Sequence, residues 1–518
     1  MGTPSGARDG LSSVTRGTLL VLVGSLLYVA LNFVARFILI RSISVDEWSA
    51  FSFALALVGV VAALGSLGLP SAVARSLPYT AAEPERRSIV RGSLVIGGVA
   101  AGAAALVMWA LGPWITTTLH FADLGMALEL FPLAAGTSVA VTLIASIFQG
   151  YEDVTPNALI IQVVTPGLFV ALLLVILALP PAGIDYTSAL LAYVVANLVA
   201  LGLSIGYALW RLPRHLTPGP RAPGAVGHLL RFAAPLFLVT LMGTLLGSGD
   251  TLVLGAYDPA EVGTYTASLT LARLLLVGVG AASYIFLPVA ARLLRTRDAE
   301  AIGVTYVTVT KWMILFSLPL FLLFVCLPAR SLDFVYTAKY AVVVLPLQIT
   351  VTGAFLTTAF GPAASAQVAF AQTRLLAYNA IVSAAVDLGV AFALVPSQGM
   401  TGAAIAWGLA NVAYVALSLG ELAYLTGVHP FRPHFVVPLL VTSVPIAVVL
   451  LFAPIVFPLW SLPVIAVGIA VLLVSAILLT RSVDDGDRLL LGAVEGLVGH
   501  PLPFLRRLGR IGVPRPRG

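Results

Sequence analysis

Residues 187–206 read TSALLAYVVANLVALGLSIG, and residues 401–420 read TGAAIAWGLANVAYVALSLG. Each stretch is twenty residues long and carries no charge. About 20 apolar residues, each rising about 1.5 Å, cross the hydrocarbon core of a bilayer as one helix. The two stretches are also the same segment twice. Ala192, Ala196-Asn197, Leu203-Ser204 and Gly206 recur as Ala406, Ala410-Asn411, Leu417-Ser418 and Gly420, at an offset of 214 residues.

Working outward, the offset holds elsewhere. Pro132-Leu133 recur as Pro346-Leu347, and Glu47 and Phe51 recur as Glu261 and Tyr265. Leu69-Pro70 match Leu287-Pro288 at 218, so small insertions intervene. Three separated regions at one offset imply a duplicated unit. The unit holds six helices, and an even number returns the chain to the same membrane side. The halves therefore share one orientation and relate by an axis along the membrane normal, an arrangement found in transporters. A duplicated scaffold without transport is the other reading.

Composition agrees. Of 518 residues, 59% are hydrophobic and 10% charged, and mean hydropathy is +1.04. Soluble domains carry about 25% charge. Disorder is excluded by the hydrophobicity, and a disulfide scaffold by the single cysteine, Cys326. The net charge of +6 is spread over short loops, which argues against a nucleic-acid partner. No alternation of short strands suggests a β-barrel.

The expected fold is therefore an all-α polytopic membrane protein with about fourteen transmembrane helices: two six-helix lobes and two C-terminal helices. Six helices are expected over 17–40, 51–69, 89–111, 126–148, 157–179 and 187–209. Six more are expected over 232–256, 263–290, 311–327, 341–360, 375–395 and 401–424, and two over 435–456 and 459–479. The domain reading is an N-terminal segment 1–16, an N-lobe 17–210, a linker 211–231, a C-lobe 232–427, a helix pair within 435–480 and a basic tail 481–518.

Basic residues gather on the cytoplasmic side of spanning proteins. Alternate connections split 23 basic residues against three, the three being Arg41, Arg330 and Lys339. Arg211, Arg214, Arg221 and Arg231 fall on the rich side, as do Lys311 and the seven arginines from Arg481 onward. Both termini are then cytoplasmic, in the plasma membrane. The first apolar block is too long for a signal peptide and lacks a cleavage site, so it stays as the first span.

Charges inside a bilayer are costly and usually face a cavity or a partner. Arg36 lies late in the first helix with Asn32 one turn earlier, Asp250 late in the seventh, Arg273 inside the eighth and Asp387 near the middle of the eleventh. Glu421 closes the twelfth at its cytoplasmic end. Arg36 shifted by 214 is Asp250, so opposite charges share one depth in equivalent helices. They form a charged pair or two walls of a cavity. Alternatively, Arg36 snorkels outward and Asp250 bonds locally in a helix broken at Gly247-Ser248-Gly249. Arg273 is too deep to snorkel and reads as a cavity residue. Asp387 stands evenly between the two.

Enzyme motifs are absent, and no catalytic residues, cofactor or metal are expected. Neither lysine follows a glycine as a P-loop requires: Thr310 precedes Lys311 and Ala338 precedes Lys339. His429 and His434 fall in a short polar loop rather than a ligand cluster. Asp485-Gly486-Asp487 precedes Leu490, Val494 and Leu497, which share one helix face. It reads as a helix cap. With Arg506, Arg507 and Arg510 behind it, the tail is expected on the anionic inner leaflet.

Three stretches resemble the polysaccharide-biosynthesis flippases of the multidrug/oligosaccharidyl-lipid/polysaccharide exporter superfamily. They are ARFILIRSISVDEWSAFSFALALVGVVAALGSLGLPSAVAR, FAAPLFLVTLMGTLLGSGDTLVLGAYDPAEVGTYTAS and LVPSQGMTGAAIAWGLANVAY. The resemblance runs from about Arg16 to Gly427. Ser49 departs from it, standing where the family commonly has glycine. The resemblance implies two six-helix lobes, often with two more helices. It also implies alternating access and translocation of a polyprenyl-(pyro)phosphate-linked oligosaccharide for cell-surface polysaccharide or glycoprotein glycan assembly. It places Arg36 and Arg273 on the lipid's phosphate, beside the other cavity candidates Asn32, Asp250 and Asp387. Implied partners are the lipid-linked oligosaccharide, membrane lipids and a coupling ion, Na+ or H+. The protein is expected as a monomer associating with glycan-assembly enzymes.

Two other functions compete. A cation-coupled multidrug exporter of the same superfamily would want acidic cavity residues; Asp250 and Asp387 keep it open, and Arg36 counts against it. A membrane glycosyltransferase or polymer ligase would want a long external loop with clustered carboxylates, which the sequence lacks.

The loop asymmetry gives a direct expectation. In a Cys326→Ala background, Pro218→Cys should react with an impermeant maleimide only after cells are permeabilised. Labelling in intact cells would invert the topology.

Overall fold

The computed structural model describes residues 5–121, 123–179, 183–212, 222, 224–277, 299–340, 343–370, 372–427, 433–452, 458–479 and 487. Several sequence expectations lie outside them: the Leu287-Pro288 match, Arg214, Pro218 and Arg221 of the linker, His429, Asp485-Gly486, and the tail beyond Asp487.

The described residues form helices and short connections, with no strand among them. Hydrocarbon supplies no partner for a peptide group, and a helix satisfies its own. In chain order they are α1 (Ser5–Ser42), α2 (Val45–Ser66), α3 (Leu69–Ser76), α4 (Glu83–Leu119), α5 (Leu124–Gly150), α6 (Pro156–Ala178) and α7 (Tyr186–Arg211). Next come α8 (Ala225–Tyr257), α9 (261–277), α10 (Ala299–Cys326), α11 (Pro328–Val335), α12 (Val344–Phe360) and α13 (Pro362–Ala369). The last are α14 (Thr373–Thr426), α15 (Pro433–Phe452) and α16 (Leu462–Leu479). Nine of the described helices are long and apolar enough to cross a membrane, or ten if α12 and α13, bent by 42°, are one span.

The chain divides into two compact units, 1–266 with 387–403 and 267–386 with 404–518. In the first, α5 is the central helix, packed against α2, α4 and α7. Phe51, Phe131 and Tyr193 interlock there, the first two edge to face with ring centroids 5.3 Å apart. Ser44 starts α2 with a capping box: its hydroxyl accepts from Glu47 N–H, and the Glu47 carboxylate accepts from Ser44 N–H. The helix ends at Leu67, left-handed at φ 51°, and Gly68 follows it at φ 69°. A β-carbon there would lie 2.5 Å from Ala233 O and Phe237 N, so only glycine lets α2 close on α8.

Proline shapes α6. Its first turns, Pro156–Val164, have π geometry. Pro166 brings no N–H to the ladder, and the Thr165 hydroxyl donates to Ile160 O at 2.7 Å.

In the second unit α10 is the hub, packed against α12, α15 and α16. It begins at Ala299, well before the expected start at Lys311, so Lys311 lies within a helix and is buried rather than sitting in a loop. The long α14 holds the expected eleventh and twelfth helices as two arms. They meet at a kink on Gly399, φ 53° and ψ −133°, just past Pro396.

Candidate functional site

The first unit contains a seam where the two repeats meet themselves. The Ser49 hydroxyl accepts from Gly263 N–H at 2.8 Å, and Ser49 and Gly263 are 214 residues apart. Three residues on, Thr266 Oγ1 donates to Ser52 Oγ at 3.1 Å, again across 214 residues. Residues related by a two-fold axis touch each other only on the axis, so the repeat axis passes between α2 and the start of α9. A β-carbon at Gly263 would sit 2.5 Å from Ser49 Oγ and 2.8 Å from Val45 O. The backbones therefore approach as small residues allow. Trp48 adds an indole N–H donated to Gly263 O at 3.1 Å.

The repeat-related glutamates do different work. Glu47 caps α2. Glu261 instead accepts from Met400 N–H at 2.6 Å, capping the second arm of α14 where Gly399 bends it. A side chain at 399 would strike that carboxylate, its β-carbon 2.3 Å from Glu261 Oε2. Outside the membrane, the connection before α5 carries Asp123. Burial, then Glu47 and Asp46, hold its carboxyl above the usual range.

Asp250 and Asp387 come together. Both are fully buried, and they are near enough to repel one another. Tyr265 donates its phenol hydrogen to Asp250 Oδ2 and also reaches Ala403 O at 3.3 Å. Neither oxygen of Asp387 receives a hydrogen bond of ordinary geometry. Helix α8 runs unbroken through Gly247-Ser248-Gly249, so Asp250 is not at a broken helix end. Gly249 is needed for another reason: a β-carbon there would lie 3.2 Å from Asp387 Oδ2 and 2.8 Å from Leu388 Cδ2.

Arg36 is half-buried in the first unit, near enough to the Tyr193 phenol to act on it electrostatically. Asn32 turns its amide back on its own helix, donating to Tyr28 O at 2.8 Å. Arg273 is half-buried on α9 and belongs to the second unit.

Sequence reasoning missed two polar clusters in the second unit. Gln367 and Asn379 both donate to Glu421 Oε2, at 2.7 and 2.8 Å, tying α13 and the two arms of α14 together. Lys311 and Trp312 donate to the two oxygens of Asp487 at 2.5 and 2.7 Å. Asp487 thus gives both of its carboxylate oxygens to α10. Among the described residues, no group of three or more His, Cys, Asp or Glu is placed to hold a metal.

The sequence matches a family described as polysaccharide biosynthesis protein over residues 14–294, more than half of the chain. The chain belongs to that family. Its fold is similar to a solved structure of the lipid II flippase MurJ in an inward closed conformation. The TM-score is 0.69 at 12% identity, covering 88% of this chain and 98% of that one. It is also similar to the MATE multidrug transporter DinF-BH in complex with R6G: TM-score 0.58, 16% identity, 81% and 97% covered. An inward-facing MATE family transporter of the MOP superfamily gives 0.55 at 15% identity, with 80% and 99% covered. No curated protein matches the chain. This member of the polysaccharide biosynthesis family is thus a multi-pass helical membrane protein whose fold is similar to those of MurJ and the MATE transporters.

The seam is open to a chemical check. In a Cys326→Ala background, Ser52→Cys with Thr266→Cys should lose both maleimide-reactive thiols on mild oxidation and regain them with reductant. Two thiols that stay reactive under oxidant would mean that these side chains do not meet.

Proposed function

We propose that this protein is a flippase. It moves a polyprenyl-(pyro)phosphate-linked oligosaccharide across the plasma membrane by alternating access, with both termini cytoplasmic. One observation carries the reading. Of the four charged residues that the sequence places deep in spans, Asp250 and Asp387 are fully buried, whereas Arg36 and Arg273 are half-buried. The charge within a substrate's reach is then positive. Guanidinium matches phosphate oxygens in bidentate fashion, so an anionic headgroup is favoured over the organic cations of a drug exporter. Glycan-assembly enzymes would supply and consume such a substrate. Alternating access requires the contacts between α2 and α9 to part, and the Ser52–Thr266 crosslink should then stop transport until it is reduced.

Arg273→Ala should impair translocation of lipid-linked glycan at matched protein levels, with Arg273→Lys recovering part. A charge-assisted phosphate contact of about 1.5–3 kcal/mol corresponds to roughly 10- to 150-fold in affinity. Undiminished translocation by the alanine variant would remove Arg273 from the substrate path.

A second role follows from the carboxylate pair. A buried carboxylate beside another is stabilised by taking up a proton or a cation, and neither oxygen of Asp387 has a hydrogen-bond donor. Asp250 and Asp387 are therefore the place for a coupling ion, Na+ or H+. Asp387→Asn removes one charge at nearly constant volume. Transport by this variant should lose its dependence on the ion gradient. A dependence on Na+ and on pH identical to the parent's would exclude the pair as the ion site.

A further inference from the structure

Helices α15 and α16 lie outside the repeat, and the repeat does not explain how they are held. Lipid tails are as apolar as leucine, so two apolar helices gain nothing by leaving lipid for each other. Packing and polar contacts must do the holding. Leu439 of α15 and Ile469, Leu473 and Ile477 of α16 join Leu315, Leu318 and Leu322 of α10 in one buried cluster. Such packing is tight but permits sliding and rotation, since one aliphatic ridge resembles the next.

The polar contact comes from beyond α16. That helix ends at Leu479, and Asp487 lies back against α10. Its two oxygens are taken by different donors on consecutive residues, Lys311 Nζ at 2.5 Å and Trp312 Nε1 at 2.7 Å. Lys311 and Asp487 are each about 1% exposed. The N-terminal half of α10 receives them with a polar stretch, since Thr305, Thr308 and Thr310 are also buried. An ion pair this enclosed adds little net stability but tolerates one geometry, which suits a contact that sets register.

We infer that Lys311, Trp312 and Asp487 form an anchor that clips the segment after α16 onto α10 and so fixes how the added helix pair lies on it. The anchor has a consequence within the same unit. Helices α10, α12 and α15 line a partly open apolar cavity of about 350 Å³, its walls including Ile314, Leu318, Phe355, Leu439 and Ser443. Helix α15 is one wall of that cavity, and its position depends on the anchor through α16. Lys311, Trp312 and Asp487 are positioning residues: they touch no substrate and act through α15.

The test uses the full chain in a Cys326→Ala, Ser443→Cys background, purified in detergent. Two quantities are read: the thermal unfolding midpoint, and the rate at which Cys at 443 reacts with a lipid-soluble maleimide well below that midpoint. Asp487→Asn should lower the midpoint and speed labelling several-fold. The swap Lys311→Asp with Asp487→Lys should reverse part of both changes. The apolar replacement Lys311→Met with Asp487→Leu should restore the midpoint but leave labelling fast, because burial is recovered and register is not. That split separates positioning from stability. Parent-like labelling in Asp487→Asn, or in the apolar double variant, would overturn the anchor. Should Asp487→Asn fail to fold, labelling of the double variant decides alone; failure of the double variant to fold also counts against the anchor.

Discussion

Every polar group that this chain carries into hydrocarbon must find its partner inside the protein, and that constraint shapes each feature described here. The backbone meets it by staying helical. The breaks are where side chains take over. At Gly399 the second arm of α14 starts with a bare N–H at Met400, and Glu261 arrives from another helix to accept it at 2.6 Å. At the start of α6 the Thr165 hydroxyl closes onto Ile160 O. Where two helices touch on the repeat axis, hydroxyls replace methyl groups, and Ser49 and Ser52 are partnered by Gly263 and Thr266.

The sequence made the helices legible because their signal is composition summed over about 20 residues. Their ends were less so. Helix α10 extends back to Ala299 through Thr305, Tyr306 and Thr308, a polar stretch that hydropathy assigns to a loop and that the fold buries. Pairing was hardest to read. Asp250 and Asp387 were visible as intramembrane charges, but a helix apolar all round has no face that points to its partner. Asp487 was read from its neighbours as a cap, and no local pattern reaches Lys311, 176 residues away. One contact could have been found: adding the offset of 214 to Ser49 gives Gly263, and to Ser52 gives Thr266.

The seam also explains why duplication leaves asymmetry. On a two-fold axis the two copies of a position compete for the same space. Two serines at 49 and 263 would crowd, because a β-carbon at 263 already falls 2.5 Å from Ser49 Oγ. One copy keeps the hydroxyl and the other gives up its side chain. Ser49 is thus matched by a glycine, Gly263, at the equivalent position. Glu47 and Glu261 diverge for a related reason: Ser44 offers Glu47 a cap on its own helix, while Glu261 meets the bend at Gly399.

The same reasoning separates charges that serve the fold from charges that can serve a substrate. A carboxylate sealed at 0% exposure, as Asp250 and Asp387 are, exchanges with small ions or protons and not with a bulky headgroup. A guanidinium with part of its surface open can reach one. Arg36 and Arg273 are half-buried residues, and neither carboxylate among the four deep charges is as exposed. That division of exposure is what the proposed anionic substrate would call for. A transporter of organic cations built on this fold would call for the reverse order of exposure, with the carboxylates the more open residues.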